Sequence, residues 1–325
     1  MRAFRLLFCI VTLSLFAAAA QAQPVFVLKW GSSGDGNGQF NFDYRVSSDP
    51  LGYIWVADTG NNRVQKFDTS GNFILSFGTF GSGNGEFNAP IGVAVDQLGF
   101  VYVTDYFNDR VEKFDGTGAY VTQWGTTGGG NGQFRNPNGI FADDLGRIVV
   151  CDQTNNRLQL FDQNGAFLFK FGTSGAGNGQ FQNPVGVACE RENATIYVVE
   201  ETNNRVQKFT NFGGFVTKWG TSGSGAGQFN LPYGICLDPL GNVLVADRGN
   251  NRMQRFNMSG VFNVQWGTAG SGDGQFNSLS GCAADLDGNI YVADTGNNRV
   301  QKFSDLATPV AAKTSWGRVK NLYRN

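Results

Sequence analysis

The sequence predicts an all-β fold: a six-bladed β-propeller with four antiparallel strands per blade, its ring closed by the N-terminal strand. Three observations carry that expectation. The fourteen-residue segment IYVADTGNNRVQKF at Ile290–Phe303 is written six times with small changes, with copies starting at Ile54, Val101, Ile148, Ile196, Val243 and Ile290. An aromatic residue before glycine recurs at Trp30, Phe77, Trp124, Phe171, Trp219 and Trp266, at intervals of 47, 47, 47, 48 and 47 residues. The ends are complementary as well. The first aromatic strand, VFVLKW from Val25, precedes any inner strand of its own, and the last unit stops at Phe303 after three strands. Four strands in about 47 residues, six times over, is the arithmetic of a propeller. Pairing the orphan strand into the incomplete unit removes two exposed edges. A competitor for that place is TSWGRV at Thr314–Val319, but Trp316 lies thirteen residues after Phe303 where other units use ten.

Each element follows from its residues. The repeated segment reads as a hairpin, two apolar or alternating strands around a Thr/Gly/Asn turn that tolerates left-handed backbone. Every copy sets an acid five residues before an arginine: Asp58/Arg63, Asp105/Arg110, Asp152/Arg157, Glu200/Arg205, Asp247/Arg252 and Asp294/Arg299. That spacing brings the pair together across the turn. Six equal copies around a ring describe a structural pair that fixes the hairpin turn rather than a catalytic centre. After each aromatic strand comes a glycine-rich loop such as GSSGDGNGQF at Gly31–Phe40, then a short strand such as PIGVAVD at Pro90–Asp96. The loops hold at most one acid each, too few for calcium, which favours several carboxylates per site.

GNIYVADTGNNRVQKF, with NPVGVACE and WGTSGSGAGQF around it, resembles the NHL repeat, and the likeness runs over Val25–Phe303. The resemblance implies a six-bladed propeller with the proline-initiated strand innermost and the aromatic strand at the rim.

Composition narrows function. The chain contains no histidine, which removes the usual general base, the Ser–His and Cys–His pairs and the commonest zinc ligand. With 25 Lys+Arg against 26 Asp+Glu there is no basic footprint for nucleic acid. Arg2, Arg5, an apolar run and Ala20-Gln21-Ala22 predict a secretory signal over residues 1–22, cleaved after Ala22, and a secreted or periplasmic product without a membrane span. Residues 23–303 form the propeller and 304–325 a basic tail. Cys151, Cys189, Cys236 and Cys282 fall at positions that are small or apolar in other units, and we expect buried free thiols there.

A structural role would be copied six times, so departures from the repeat are where function should show. Between proline and glycine of the inner strand the units read Tyr44, Ile91, Asn138, Val185, Tyr233 and Ser280. The next residue is glycine in five units and Arg45 in the first. After the hairpin acid the units read Thr59-Gly60, Tyr106-Phe107, Gln153-Thr154, Glu201-Thr202, Arg248-Gly249 and Thr295-Gly296. Tyr44, Arg45, Tyr106, Phe107, Tyr233 and Arg248 are therefore the candidate binding residues, gathered on one face around the channel mouth. The expectation is a non-catalytic, monomeric module without cofactor or resident metal that binds protein or carbohydrate. The alternative is a metal-dependent propeller lyase or lactone hydrolase.

Overall fold

The structure, a computed structural model, describes residues 22–191 and 193–304. The expected signal segment, apart from Ala22, and the tail with Trp316 lie outside the described residues. Six four-stranded antiparallel sheets stand around a central axis. The second blade shows the pattern: inner strand Pro90–Val95, then Val101–Asp105, Arg110–Phe114 and the outer strand Tyr120–Trp124. Inner strands of neighbouring blades touch all the way round, the first against the sixth. The sixth blade is composite, because Val25–Trp30 pairs antiparallel with Arg299–Ser304, Phe26 opposite Phe303 and Trp30 opposite Val300. The N-terminal strand closes the ring as the repeat phase predicts.

Burial explains the strand compositions. The two middle strands are covered on both faces by adjacent blades, so Ile54–Asp58 and Val101–Asp105 are buried at every residue. Outer strands such as Phe73–Phe77 and Tyr120–Trp124 alternate between half-buried and exposed. One buried cluster fills each interface between blades; between the sixth and first it comprises Phe40, Val46, Ile54, Phe67, Ala283, Tyr291 and Val300 among others. The outer-strand tryptophan lies on a turn glycine of the next blade. A Cβ on Gly165, at φ +86°, would stand 2.6 Å from Trp124.

The acid–arginine pairs form in all six blades: Asp58 with Arg63, Asp105 with Arg110, Asp152 with Arg157, Glu200 with Arg205, Asp247 with Arg252 and Asp294 with Arg299. Their Arg Nε to carboxylate distances are 2.5–2.8 Å. The pairs stand opposite each other across the hairpin, and their role is wider than the spacing predicts. Only Nε is directed at the acid in the typical blade, and the rest of the fork clamps the preceding glycine-rich loop. Arg157 shows this in full: Nη1 donates to the Gly129 carbonyl, and Nη2 to those of Gly130 and Gln133. Arg252 repeats it on Ser224, Gly225 and Gln228, and its Nη1 also donates to Gln265 of the outer strand. Both guanidinium groups are buried by the loops they hold. Arg110, Arg205 and Arg299 bond their own loops in the same way.

The first blade shows the rest of the node. Arg63 Nη2 donates to the Gly36 and Gln39 carbonyls, while Asp58 accepts the Asn41 amide N–H. Gln65 completes it: its amide donates to Asp58 and to the Gln39 carbonyl and accepts from the Gly38 N–H. The second asparagine of the turn joins blades. Asn62 sits at φ 54° and its Oδ1 accepts the Ala89 N–H; Asn298 does the same for Phe42 across the closing seam.

Two buried carboxyls break this scheme. Glu112 stands where five blades carry the bridging glutamine. Its Oε1 accepts the Gly85 N–H at 3.3 Å, and Oε2 has no partner. Burial, opposed by Arg110 and reinforced by Asp105 and Glu86, pushes its carboxyl up to about 7. Asp43 replaces the proline that starts the inner strand in blades two to five. It lies opposite Asp58, fully buried, with both oxygens unpartnered. Burial raises its carboxyl well above the usual range, and Asp294 and Asp58 push the same way.

A carboxyl raised in the folded state stabilises below its ordinary range and loses that contribution as pH rises through the folded value. Glu112→Gln, which can donate at any pH, should therefore gain about 1–3 kcal/mol at pH 8 and much less at pH 5, read from urea unfolding at both pH values. Equal gains at the two pH values would contradict the assignment. Asp43→Asn should likewise raise the melting temperature more at pH 8 than at pH 5 in a thermal scan.

Candidate functional site

All glycine-rich loops and hairpin turns emerge on the face where the inner strands begin. There the fold builds two concentric rings of side chains. The inner ring is the residue after the strand-initiating position; the outer ring is the first residue of each hairpin turn. In blades one and six the outer ring is threonine, and both threonines are buried and structural. Thr59 Oγ1 donates to the Pro90 carbonyl at 2.6 Å and Thr295 Oγ1 to the Asp43 carbonyl at 2.7 Å. Blades two to five instead present Tyr106, Gln153, Glu201 and Arg248.

These converge with the inner ring. Tyr44 and Tyr233, from blades one and five, meet with ring centroids 5.8 Å apart. The Arg248 guanidinium lies over both rings, 6.0 Å from Tyr44 and 5.2 Å from Tyr233, and 3.8 Å from Glu201. Asn138 donates to the Tyr233 hydroxyl at 2.8 Å and to Gln153 at 3.0 Å, so blades three and five are linked across the axis. Glu201 and Tyr44 lie close enough to Tyr106 to add to the upward shift that burial gives its phenol. Phe107 meets Tyr106 edge to face at 5.0 Å and is 61% exposed.

Arg45 is turned inward. Its guanidinium is buried 4.8 Å over the Tyr233 ring, and Nη2 donates to the Val185 and Tyr233 carbonyls and to Asn138 Oδ1. The inner-strand glycines explain why it is alone. A Cβ on Gly92, Gly139, Gly186, Gly234 or Gly281 would stand 2.4–2.7 Å from the next blade's carbonyl. Arg45 thus works from beneath the mouth, while the other five candidates line it or stand at its edge. Burial lowers the Arg45 pKa, with Tyr233 and three cysteines opposing the shift, and burial holds the Tyr233 phenol at about 12, neutral at physiological pH.

Asn138, Gln153 and Glu201 join the site without being among the sequence candidates. Each is visible as a departure in register with Tyr106 or Tyr233, but only the fold shows that non-adjacent blades touch across the axis. The four cysteines in the propeller are free and buried, and burial pushes the Cys151 thiol up to about 12. Among the described residues, no three of His, Cys, Asp and Glu are arranged to hold a metal ion.

Comparison with known proteins agrees with this geometry. The NHL repeat family matches residues 45–67, 87–114, 229–256 and 276–303, and a family described as a 6-bladed beta-propeller matches 142–210. Rat E3 ubiquitin-protein ligase TRIM71 is 51% identical over 47 residues, which is 14% of this chain and 6% of that protein. Human NHL repeat-containing protein 3 is 44% identical over 45 residues, 13% of each chain. The chain thus matches only a small fraction of the length of these relatives. Among solved structures, catalytically inactive virginiamycin B lyase from Staphylococcus aureus with quinupristin superposes with a TM-score of 0.58 at 14% identity, over 88% of this chain and 89% of that one. Repeat matches on both sides of the ring, a propeller match between them and six closed blades show that this chain carries NHL repeats and folds as a six-bladed β-propeller.

Proposed function

We propose that the chain is an exported, monomeric, non-catalytic binding module that engages a protein or glycan through its loop-rich face. The observation that carries this reading is the convergence of one-off residues. Tyr44, Tyr106, Asn138, Gln153, Glu201, Tyr233 and Arg248 stand at positions whose residue changes from blade to blade, and they meet at one mouth. Clustered tyrosine and arginine supply large, rigid contact area with polar ends, the composition of binding hot spots. Export rests on the sequence of residues 1–22.

An enzyme of the lyase type has less support. Likeness to the staphylococcal lyase at 14% identity carries the fold alone. The inactive form of that lyase carries a histidine-to-alanine change, and this chain has no histidine. The ubiquitin-ligase relative matches over one repeat length, which brings no activity with it.

The test is partner capture from an extracellular or periplasmic fraction and on a glycan array, using immobilised residues 23–325. Tyr106→Thr with Phe107→Gly restores the commoner turn residues and should reduce capture about tenfold or more, as loss of an aromatic hot spot does. Leu51→Ser with Leu98→Ser alters the opposite face, where each leucine is 71% exposed, and should leave capture unchanged. Loss only in the leucine variant would move the binding face to the other side of the ring.

A further inference from the structure

The charge at the mouth does not balance. Two guanidinium groups, Arg45 and Arg248, lie within 5.2 Å of the Tyr233 ring centroid, and among the described residues the one carboxylate paired with either is Glu201, 3.8 Å from Arg248. Asn138 and Gln153 are neutral, and so is Tyr233, whose phenol titrates at about 12. Among the described residues Arg45 forms no ion pair. A buried cation without a counter-charge is costly, of the order of several kcal/mol, and five sister blades show that the fold takes glycine there.

The hydrogen bonds of Arg45 are lopsided as well. Among the described residues Nη2 alone carries them, shared among the Val185 and Tyr233 carbonyls and Asn138 Oδ1. Nε–H is buried with no partner. A guanidinium offers five donors in a planar fork suited to two oxygens of one group. Here a part of that fork is desolvated and unused, beside the Tyr233 ring that Arg248 also approaches.

We infer that the mouth takes an oxyanion, a carboxylate or phosphate group of the ligand, held by Arg45 and Arg248 beside the Tyr44–Tyr233 pair. The oxyanion supplies the missing counter-charge and an acceptor for the unused Arg45 donors, while Tyr44 and Tyr233 flank the part of the ligand that carries it. This deepens the reading of the loop-rich face as a binding face and rests on it. It also accounts for Arg248: its pairing with Glu201 at 3.8 Å is loose, leaving the guanidinium available to a second anion.

Three probes test it by calorimetry and thermal shift at matched ionic strength: succinate, inorganic phosphate and uncharged succinamide. Saturable binding of succinate or phosphate, with none of succinamide, is expected, and which anion binds more tightly identifies the group. Arg45→Gly restores the repeat residue and should keep the fold; it and Arg248→Thr should each weaken anion binding about tenfold or more, the loss expected for a charge-assisted hydrogen bond. Arg45→Lys, which keeps the charge and loses the fork, should fall between. In nitrogen-15 spectra of the wild-type protein the Arg45 Nε–H resonance should shift on titration with the bound anion. Absence of saturable anion binding to the wild type, or undiminished binding to a folded Arg45→Gly variant, would overturn the inference. Tyr106→Thr with Phe107→Gly separates the two readings. Anion binding that survives while partner capture does not depend on the face leaves the oxyanion site standing and removes the binding-face reading; capture through the face without anion binding does the reverse.

Discussion

The acid–arginine clamp is the constraint on which the propeller depends. A glycine-rich loop of ten residues has little apolar surface with which to order itself, yet it sets where each inner strand begins. Arg Nε and Nη groups, the acid and the bridging glutamine together satisfy the loop carbonyls and amides that would otherwise be left unpaired. Because the carboxylates are fully buried, loss of one arginine, Arg157 or Arg252 for example, would strand a buried charge, a cost of about 3–5 kcal/mol. The turn asparagine extends the constraint sideways: at φ near 50° its side chain reaches the first amide of the next blade's inner segment. Loop, hairpin and neighbouring blade are therefore positioned by one short polar segment, and that segment is what the sequence repeats.

That repetition is why the architecture is legible in the chain alone. Aromatic spacing sets the number of blades, the apolar middle strands imply burial on both faces, and the unmatched first strand implies the closure, seen as Phe26 opposite Phe303. The hold of Arg63, Arg157, Arg252 and their equivalents on the loop is not legible, because loop carbonyls carry no side-chain signature. At the mouth, sequence register separates Tyr44, Tyr106, Tyr233 and Arg248 from the repeat, but it cannot say that blades one and five meet across the axis. Glu201 and Asn138 acquire meaning only through partners, one beside Arg248 and the other on the Tyr233 hydroxyl. Arg45 is conspicuous, yet its direction is not: the inward turn depends on carbonyls contributed by blades four and five.

Position in the ring also sorts the departures by their consequence. Glu112 and Asp43 replace residues of the clamp or of the strand start, so their unpartnered oxygens weaken the fold itself. The outer-ring residues Tyr106, Gln153, Glu201 and Arg248 follow the clamp acid directly, where the side chain projects toward the axis and no repeated hydrogen bond needs it. Substitution there leaves the blade intact, so that ring is free to diversify. Blades one and six keep threonine at this position, and in each case the hydroxyl bonds a carbonyl of the next inner strand. The variable arc is thus confined to blades two to five.

Arg45 belongs to neither class. Glycine is what the packing favours at its position, since a Cβ on the equivalent glycines would crowd the next blade's carbonyl. A residue that merely drifted would be expected to be small, because only a small side chain limits that crowding. A long, desolvated cation instead incurs the packing and the desolvation cost together, and the three acceptors gathered on Nη2 recover a part of the second. The buried Nε–H points to an acceptor supplied from outside the fold, and the unbalanced charge around the Tyr233 ring fixes the sign that acceptor must carry.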